Sequence, residues 1–410
     1  MNKQKIVNDP VHGFISIRTP LAHELISHPF FQRLRGIKQL GLTSLVYPGA
    51  CHTRFQHALG AMHLMNQAVE VLRHKGHEVN EFELEAAECA MLLHDIGHSP
   101  FSHALEFSIV PQLSHEDISA AMMYQLNSEL NGRLSLAIAI FEDSYHKKFL
   151  HKLVSSQLDV DRLDYLRRDS FFSGVAEGAI GVERIIKMLD VVDNDVVVES
   201  KGMHSVEKFL IARRLMYWQV YLHKTVIAAE QLLVNIFNRA KQLSSQGETL
   251  FGAEALQFFL THDLTREEIR KEENLYKFST LADSDVDGAI KMWSLHPDKV
   301  LSKLCKKLTA RHLPKIEISD SKFSGERVQE ATLKAKKLLG LNDEEVAYFV
   351  QTDTLVNKAY SLTGDTIKIL DKTGGLQNIY TASDMLSAAA FLHDTTKHFL
   401  CYPKELLQQE

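Results

Sequence analysis

A mostly α fold, a helical bundle with a small α+β region at its C-terminal end, is what this sequence predicts. Three observations carry that expectation. Apolar residues recur at helical spacing through most of the stretch from residue 20 to residue 310. Strand-like runs are confined to the first 20 residues, a short pair near residue 190, and the stretch after about residue 313. No repeat or low-complexity segment interrupts this order.

Residues 1–20 hold two β-like runs, KIV and FISI, around the turn NDPVHG, where Asn8, Asp9, Pro10 and Gly13 are turn residues. LAHELISHPFFQRLRGIKQLG, over 20–42, reads as a helix, a restart at Pro29, and a second helix ending near Gly41. Arg33, Arg35 and Lys38 make it locally basic. A long helix opens at about Thr53 and keeps its period through Val71, and residues 83–96 form the next. SHEDISAAMMYQLNSEL and RLSLAIAI give two more, and HKKFLHKLVSSQLDVDRLDYLRRDSFF continues the series. DVVDNDVVVES is a strand pair about Asp193-Asn194, closed by Lys201-Gly202. From His204 to Leu243 runs one very long helix or two abutting ones, which must be buried by neighbours because helicity alone would not hold it. Residues 250–310 stay helical with more charge, as in TREEIRKEEN. PKIEI, VAYFVQTD, KAYSL and TIKILDK are strand-like, with turns at Gly364-Asp365 and Thr373-Gly374-Gly375. DMLSAAAFLHDTTKHFLC reads as a late helix. The expected organisation is a main region over 1–250, a helical extension over 251–310, and a small α+β region over 311–410.

Charge narrows the function. Lys plus Arg is 46 against 52 for Asp plus Glu, a net −6, which excludes a surface built to coat nucleic acid but leaves room for local basic pockets. Four cysteines, Cys51, Cys89, Cys305 and Cys401, are widely spaced and make no CxxC, as expected of reduced thiols. The first residues carry no apolar signal core and no run reaches membrane-spanning length, so a cytoplasmic protein without membrane contact is expected.

The chemistry concentrates in MLLHDIGHSPFSH, Met91 to His103. A helix carries the adjacent His94 and Asp95 inward, where an unpaired carboxylate is costly and a cation would remove the cost. His262-Asp263 and His393-Asp394 are also His-Asp pairs, but neither has further histidines in the next turns, and both read as incidental. His57 in HTRFQH, His94, Asp95 and Asp161 in QLDVDRLDYLRRDS make a plausible ligand set for Mn, Fe, Ni, Zn, Co or Mg; spacing leaves Asp159 open as an alternative to Asp161. His98, four residues after His94, is expected on the same helix face, with His103, Glu106 and His115-Glu116 following. Tyr165 and Asp169 fall at i+4 and i+8 from Asp161, while Asp164 and Arg167 are expected to point elsewhere in salt bridges. Arg213 and Tyr221, eight apart, share a face. Lys38, Arg54, Arg162 and Arg213 would surround a polyanion, and a phosphate ester is the substrate class that needs both a cation and an arginine clamp.

Together NDPVHG, FFQRLRGIKQLG, YPGACHTRFQHALG, LLHDIGHSPFSHALE, SHED, LDVDRLDYLRRDS and VYLHK, in that order over about residues 5–225, resemble the HD-domain phosphohydrolases. Within them the chain looks most like the deoxynucleoside triphosphate triphosphohydrolases, including the SAM and HD domain-containing one. The resemblance implies an HD-domain helical bundle, one divalent metal, and cleavage of a dNTP to deoxynucleoside and triphosphate. It implies that His57, His94, Asp95 and Asp161 are the metal ligands. His98, His115 and Glu106 match the family's catalytic histidine–carboxylate group, with His98 as the donor to the leaving 5′-oxygen. His103, Arg54, Arg162 and Arg213 match phosphate contacts. Tyr165, Asp169 and Tyr221 match the surroundings of the sugar, with Gln39 and Leu40 at its edge; a ring where a 2′-hydroxyl would sit selects deoxyribose by exclusion. An activating-nucleotide site between subunits of a homotetramer or other homo-oligomer is implied by Lys5, Ile6, Asn8, Gln32, Arg35, Arg184, Lys201, His223, Lys224 and Arg311. Ser27 stands where the family has a guanine-reading Asp, and Gln56 and Glu106 where relatives often carry Glu and Asp. Two other functions fit the same residues: an HD phosphohydrolase acting on a monophosphate, cyclic dinucleotide or alarmone, and a non-catalytic nucleotide sensor.

Overall fold

Reciprocal caps set where the central helices begin. The computed structural model describes residues 5–357, 366–386 and 395–408. In it, the Gln56 side chain accepts from Thr53 N–H at 2.8 Å at the head of the helix Arg54–His74. Asn80 with Glu83 and Ser114 with Asp117 cap Glu81–Leu93 and His115–Glu129 in the same way, satisfying N–H groups that the first turn leaves unpaired. Asp159 caps Val160–Ser173, which ends at Gly174 in the left-handed region, φ +75°.

The Arg54–His74 helix is the centre of the molecule. It packs against Glu81–Leu93 and Val160–Ser173, and Glu81–Leu93 packs in turn on Ser135–Phe141 and Lys148–Val154. Glu81–Leu93 is apolar nearly all round past its first turn, with Leu84, Ala87, Cys89, Ala90, Met91, Leu92 and Leu93 buried, as a fully enclosed helix must be. Gly60 on the central helix allows the closest approach: a Cβ there would fall 2.0 Å from Asp164 Oδ1.

Three small sheets decorate this bundle. Lys5–Asp9 and Gly13–Ile17 form the expected N-terminal hairpin. Leu189–Val192 and Asp195–Glu199 form the second hairpin, with Asp193 and Asn194 both at positive φ as a tight two-residue turn needs. Two strands from late in the chain extend it: Lys368–Leu370 pairs in parallel with Asp195–Glu199, and Leu376–Asn378 follows. The third sheet has the order Lys315–Ser319, Thr395–Tyr402, Gln351–Asn357, all antiparallel.

Several expectations are corrected here. The helix expected after Pro29 is one α-turn, Pro29–Gln32, then a 3-10 turn, Arg33–Gly36, because the carbonyls of Ile96, His98 and Leu281 draw the Arg33 side chain inward. Of the two alternatives for His204 to Leu243, the structure takes the expected second: two helices, Met203–Met216 and Lys224–Ser245, joined by a π-turn at Tyr217–Tyr221. The expected late helix includes Thr395–Tyr402, which is a strand: it pairs on both edges, and its last residues are buried, so its apolar run mimics helical spacing. Residues 387–394 of that stretch, including His393-Asp394, lie outside the described residues, as do KAYSL and the turn Gly364-Asp365. An additional helix, Gly325–Leu339, stands in the C-terminal region. No helix among the described residues is long and apolar enough to cross a membrane.

Candidate metal and phosphate-binding site

The helix Glu81–Leu93 stops one residue short of His94, so His94, Asp95 and His98 sit on a tight turn rather than on one helix face. That corrects the expected sharing of a face by His94 and His98. Gly97 makes the turn possible: its N–H donates to Ser119 Oγ at 2.9 Å, and a Cβ would fall 2.3 Å from the backbone nitrogen of Ser119. The turn thereby packs against the first turns of His115–Glu129.

Four side chains meet beside it. His57 Nε2 lies 3.0 Å from Asp161 Oδ1 and 3.7 Å from Asp95 Oδ2. His94 Nε2 lies 3.5 Å from Asp161 Oδ1 and 3.4 Å from Asp95 Oδ1. Both Nε2 atoms are buried and make no well-aligned hydrogen bond. Their ring orientations are set from behind: His57 Nδ1 faces Asp164 Oδ2 at 2.7 Å, and His94 Nδ1 faces the Met91 carbonyl at 2.7 Å. Since those oxygens accept, each Nδ1 carries the hydrogen and each Nε2 turns a lone pair to the cluster. Burial opposes charge on the His57 ring, but the Asp161 and Asp164 carboxylates outweigh it and push it up to about 10. Burial likewise works against an ionised Asp161, yet His57 and His94 hold it well below the usual carboxylate range. The cluster therefore demands positive charge: a proton or a cation. Asp159 takes no part in it; its carboxylate accepts from the backbone of Ser156 and Arg162 and from the Arg162 side chain.

A second group adjoins the first. His98 Nε2 is 3.3 Å from Asp95 Oδ1, and its ring stacks on His115 with centroids 3.9 Å apart. Glu106 bridges His115 Nδ1 at 2.6 Å and His103 Nδ1 at 3.0 Å. Burial disfavours an ionised Glu106, but hydrogen bonds from His103 and His115 hold it well below its ordinary range. Burial, with the nearby Arg54 guanidinium, pushes His98 far down and disfavours a charged ring, and its Nδ1 is buried without a hydrogen-bond partner.

Of these groups, His94, Asp95, Asp161, His98 and His115 line one cavity of about 590 Å³ with Gln39, Leu40, Arg54, His103, Arg162, Tyr165, Asp169 and Tyr221, while His57 and Glu106 do not line it. Arg54 pairs with Asp95 and donates Nε–H to Ser102 Oγ at 2.8 Å. Tyr221 donates its hydroxyl to Asp169 at 2.8 Å, and the ring edge of Tyr221 meets Tyr165 at 6.1 Å. Buried Gln39 Oε1 has no partner. Arg213 does not line the cavity; it is buried nearby, with Nη1 3.2 Å from Gln157 Oε1. Lys38 does not line it either: its backbone N–H binds Asp283 and its carbonyl accepts from Ser102. Among the residues expected at an activating site, Gln32 touches Arg35 at 2.9 Å and Arg184 donates to the Lys201 carbonyl at 2.9 Å. Lys5 instead meets His23, His223 caps Lys224–Ser245, and Arg311 binds the Leu45 carbonyl. Ile6, Asn8 and Lys224 are exposed on the hairpin and the start of that helix. The single chain does not gather these ten residues in one place.

Sequence reasoning misses three groups. Asp164 is ion-paired as expected, but with Arg168, and it backs His57 instead of pointing away; its position three residues after Asp161 was the available signal. Arg167 does pair outside the site, with Glu183. His52 Nε2 holds the other oxygen of Asp169 at 2.7 Å. Asp283, from the helix Asp283–Trp293, accepts from Phe101 N–H at 2.8 Å and Lys38 N–H at 3.0 Å, and so fixes two loops of the cavity wall. Phe101 and Ser102 both hold positive φ, a strained backbone that such bonds sustain. Nothing near Asp283 in sequence announces this. His262-Asp263 is incidental, with His262 stacked on Phe258 and Asp263 paired to Lys241.

The HD domain family matches residues 54–195, and the HD associated region matches residues 180–258. The chain is 31% identical to the uncharacterized protein YwfO of Bacillus subtilis (strain 168), over 99% of this chain and 94% of that one. It is 30% identical to the deoxynucleoside triphosphate triphosphohydrolase SAMHD1 of Homo sapiens, over 58% of this chain and 45% of that protein. Its fold superposes on the crystal structure of a phosphohydrolase from Bacteroides thetaiotaomicron VPI-5482 with a TM-score of 0.94 and 52% identity, covering 98% of this chain and 100% of that one.

Proposed function

The chain belongs to the HD-domain phosphohydrolases, and from that premise we propose that it is a metal-dependent dNTP triphosphohydrolase, releasing deoxynucleoside and inorganic triphosphate. One observation carries this reading: His94, Asp95 and Asp161, then His98 and His115, then Tyr165, Tyr221 and Asp169 line a single cavity, with His57 against Asp161 and Glu106 against His115 just outside its lining. Residues His57, His94, Asp95 and Asp161 would hold a divalent cation, and the two orphaned Nε2 atoms between carboxylates are the donor set such an ion fits. When bound, the ion supplies Lewis-acid stabilisation of charge at the innermost phosphate.

The protein's own side chains account for the rest. Arg54 and Arg162 offer guanidinium groups to the phosphate oxygens, each held in place by a carboxylate, Asp95 or Asp159. His103 extends that contact. A polyanion drawn in beside His98 raises the proton affinity of its ring, and His98 then donates that proton to the departing 5′-oxygen. Glu106, anchored by His115 and His103, keeps the stacked His115 ring in position behind His98. Tyr221, locked to Asp169, and Tyr165 pack against the sugar, while Gln39 and Leu40 border it. Residues near Arg35 and Arg184 come together with those of another copy to take an activating nucleotide in a homo-oligomer.

The test is to incubate the four dNTPs, singly and mixed, with Mn²⁺ or Mg²⁺, with and without GTP, and to separate the products by ion exchange. Deoxynucleoside plus triphosphate is expected. Monophosphate plus pyrophosphate would refute the reading, and equal turnover of NTP and dNTP would move the substrate to another nucleotide.

A further inference from the structure

A run of buried polar groups leads from the N-terminal hairpin to the ring of His57. Asp164 Oδ2 accepts from His57 Nδ1 at 2.7 Å and from Arg168 Nε at 2.9 Å. Asp164 Oδ1 meets His12 Nε2 at 2.6 Å and Arg168 Nη2 at 3.0 Å. Arg168 Nη1 donates to Asp9 Oδ2 at 2.7 Å, and Asp9 Oδ1 closes the turn by accepting from the backbone N–H groups of Val11 and His12 at 2.9 Å each. The side chains of His57, Asp164 and Arg168 are 0% exposed, and that of His12 2%.

Two features separate this run from an ordinary core ion pair. The central helix leaves room for it: a Cβ on Gly60 would lie 2.0 Å from Asp164 Oδ1 and 2.2 Å from Arg168 Nη2. The second strand is anchored in the core by Ile15 and Ile17, whereas the first strand and the turn depend on this run. In the strand Lys5–Asp9 the one buried residue is Asp9, and Ile6 and Phe14 are 60% and 71% exposed. Asp9, Asp164 and Arg168 together leave a net negative charge behind His57, which favours a cation in front of it.

We propose that the turn from Asp9 to His12 is a working part of the metal centre: through Arg168 and Asp164 it fixes the orientation and tautomer of His57, so the grip on the ion depends on the hairpin being seated. This rests on the metal in the reading above, and not on its substrate. Asp9, His12, Asp164 and Arg168 are positioning residues, and displacement of the hairpin by any ligand would loosen the ion.

The experiment titrates Mn²⁺ into metal-free full-length protein against a fluorescent chelator, with the Tm of each metal-free form measured alongside. Asp164→Asn is expected to raise the Kd about 10- to 100-fold and Asp9→Asn about tenfold, both lowering the metal-free Tm because they unpair buried Arg168, whereas His12→Gln is expected to raise the Kd about tenfold with metal-free Tm near that of the wild type. Arg18→Ala, which breaks an exposed hairpin ion pair with Glu70, is expected to leave the Kd unchanged. If Asp9→Asn folds poorly, His12→Gln carries the test, since it leaves the Arg168–Asp9 pair intact. Wild-type Kd values in folded Asp9→Asn and His12→Gln would overturn the inference alone. A wild-type protein that binds no Mn²⁺ would overturn it together with the metal site, whichever nucleotide is the substrate.

Discussion

Two imidazoles within 4 Å of the same carboxylate, His57 at 3.7 Å and His98 at 3.3 Å from Asp95, are driven in opposite directions. Burial resists charge on both. His57 has Asp161 and Asp164 against it and is pushed up to about 10, whereas His98 has Arg54 nearby and is pushed far down. One ring is thus shaped to face a cation and the other to wait neutral for a polyanion. Replacing His98 with Gln is expected to lower kcat about 10²- to 10⁴-fold while leaving the Mn²⁺ affinity unchanged; steady-state kinetics beside a metal titration measures both. A different carboxyl governs stability. Glu88 is buried with one hydrogen bond, from Asn66, and burial raises it to about 7. A carboxyl raised on folding stabilises fully below its unfolded value near 4.5, and that contribution is lost as pH climbs through about 7. The loss amounts to roughly 3 kcal/mol, so Glu88→Gln is expected to flatten the fall in Tm between pH 5 and 8 that the wild type shows.

At the scale of elements, the site is made where helices end and where they touch. His94 lies just past the end of Glu81–Leu93 as its cap, Asp161 in the first turn of Val160–Ser173, and His57 in the first turn of Arg54–His74. Their contact depends on Gly60. Gly60→Ala is expected to cost about 3 kcal/mol and to weaken metal binding, read by chemical denaturation and Mn²⁺ titration. Asp283, from the helix Asp283–Trp293, braces the cavity wall from behind. Asp283→Ala leaves the N–H groups of Phe101 and Lys38 unsatisfied, at about 1–3 kcal/mol each, and is expected to raise KM by freeing the loop that carries Ser102 and His103. Sequence periodicity placed the helices themselves well. It blurred Pro29–Gly36 and Thr395–Tyr402, where a buried arginine and a doubly paired strand override local preference.

Across the whole molecule, ligand sets drawn from residues 57 to 161 are bound to an N-terminal hairpin on one side and a later helix on the other. A bound ion then stabilises the fold by mass action. Saturation at 100 times its Kd is expected to add about 2.7 kcal/mol. Calorimetry should therefore show Tm falling after chelation and recovering on Mn²⁺ addition; an unchanged Tm would argue against a structural grip on the ion. The late strands Lys368–Leu370 and Leu376–Asn378 join the hairpin at Leu189–Glu199, so the C-terminal region is tied into the bundle by main-chain hydrogen bonds.

By itself the sequence determined the helical class, the hairpins at Gly13 and Asn194, and the convergence of His57, His94 and Asp95, because periodicity, turn residues and motif order are local properties that survive in one dimension. Which carboxylate joins the cluster was not local. Asp159, Asp161 and Asp164 sit within six residues of one another, and only the docking of Val160–Ser173 on Arg54–His74 turned the first to a cap, the second to the cluster and the third to the back of His57. Asp9, His12, Arg168 and Asp283 gained their parts in the same way, since a buried charge takes its meaning from the partner that the packed fold brings within hydrogen-bond reach.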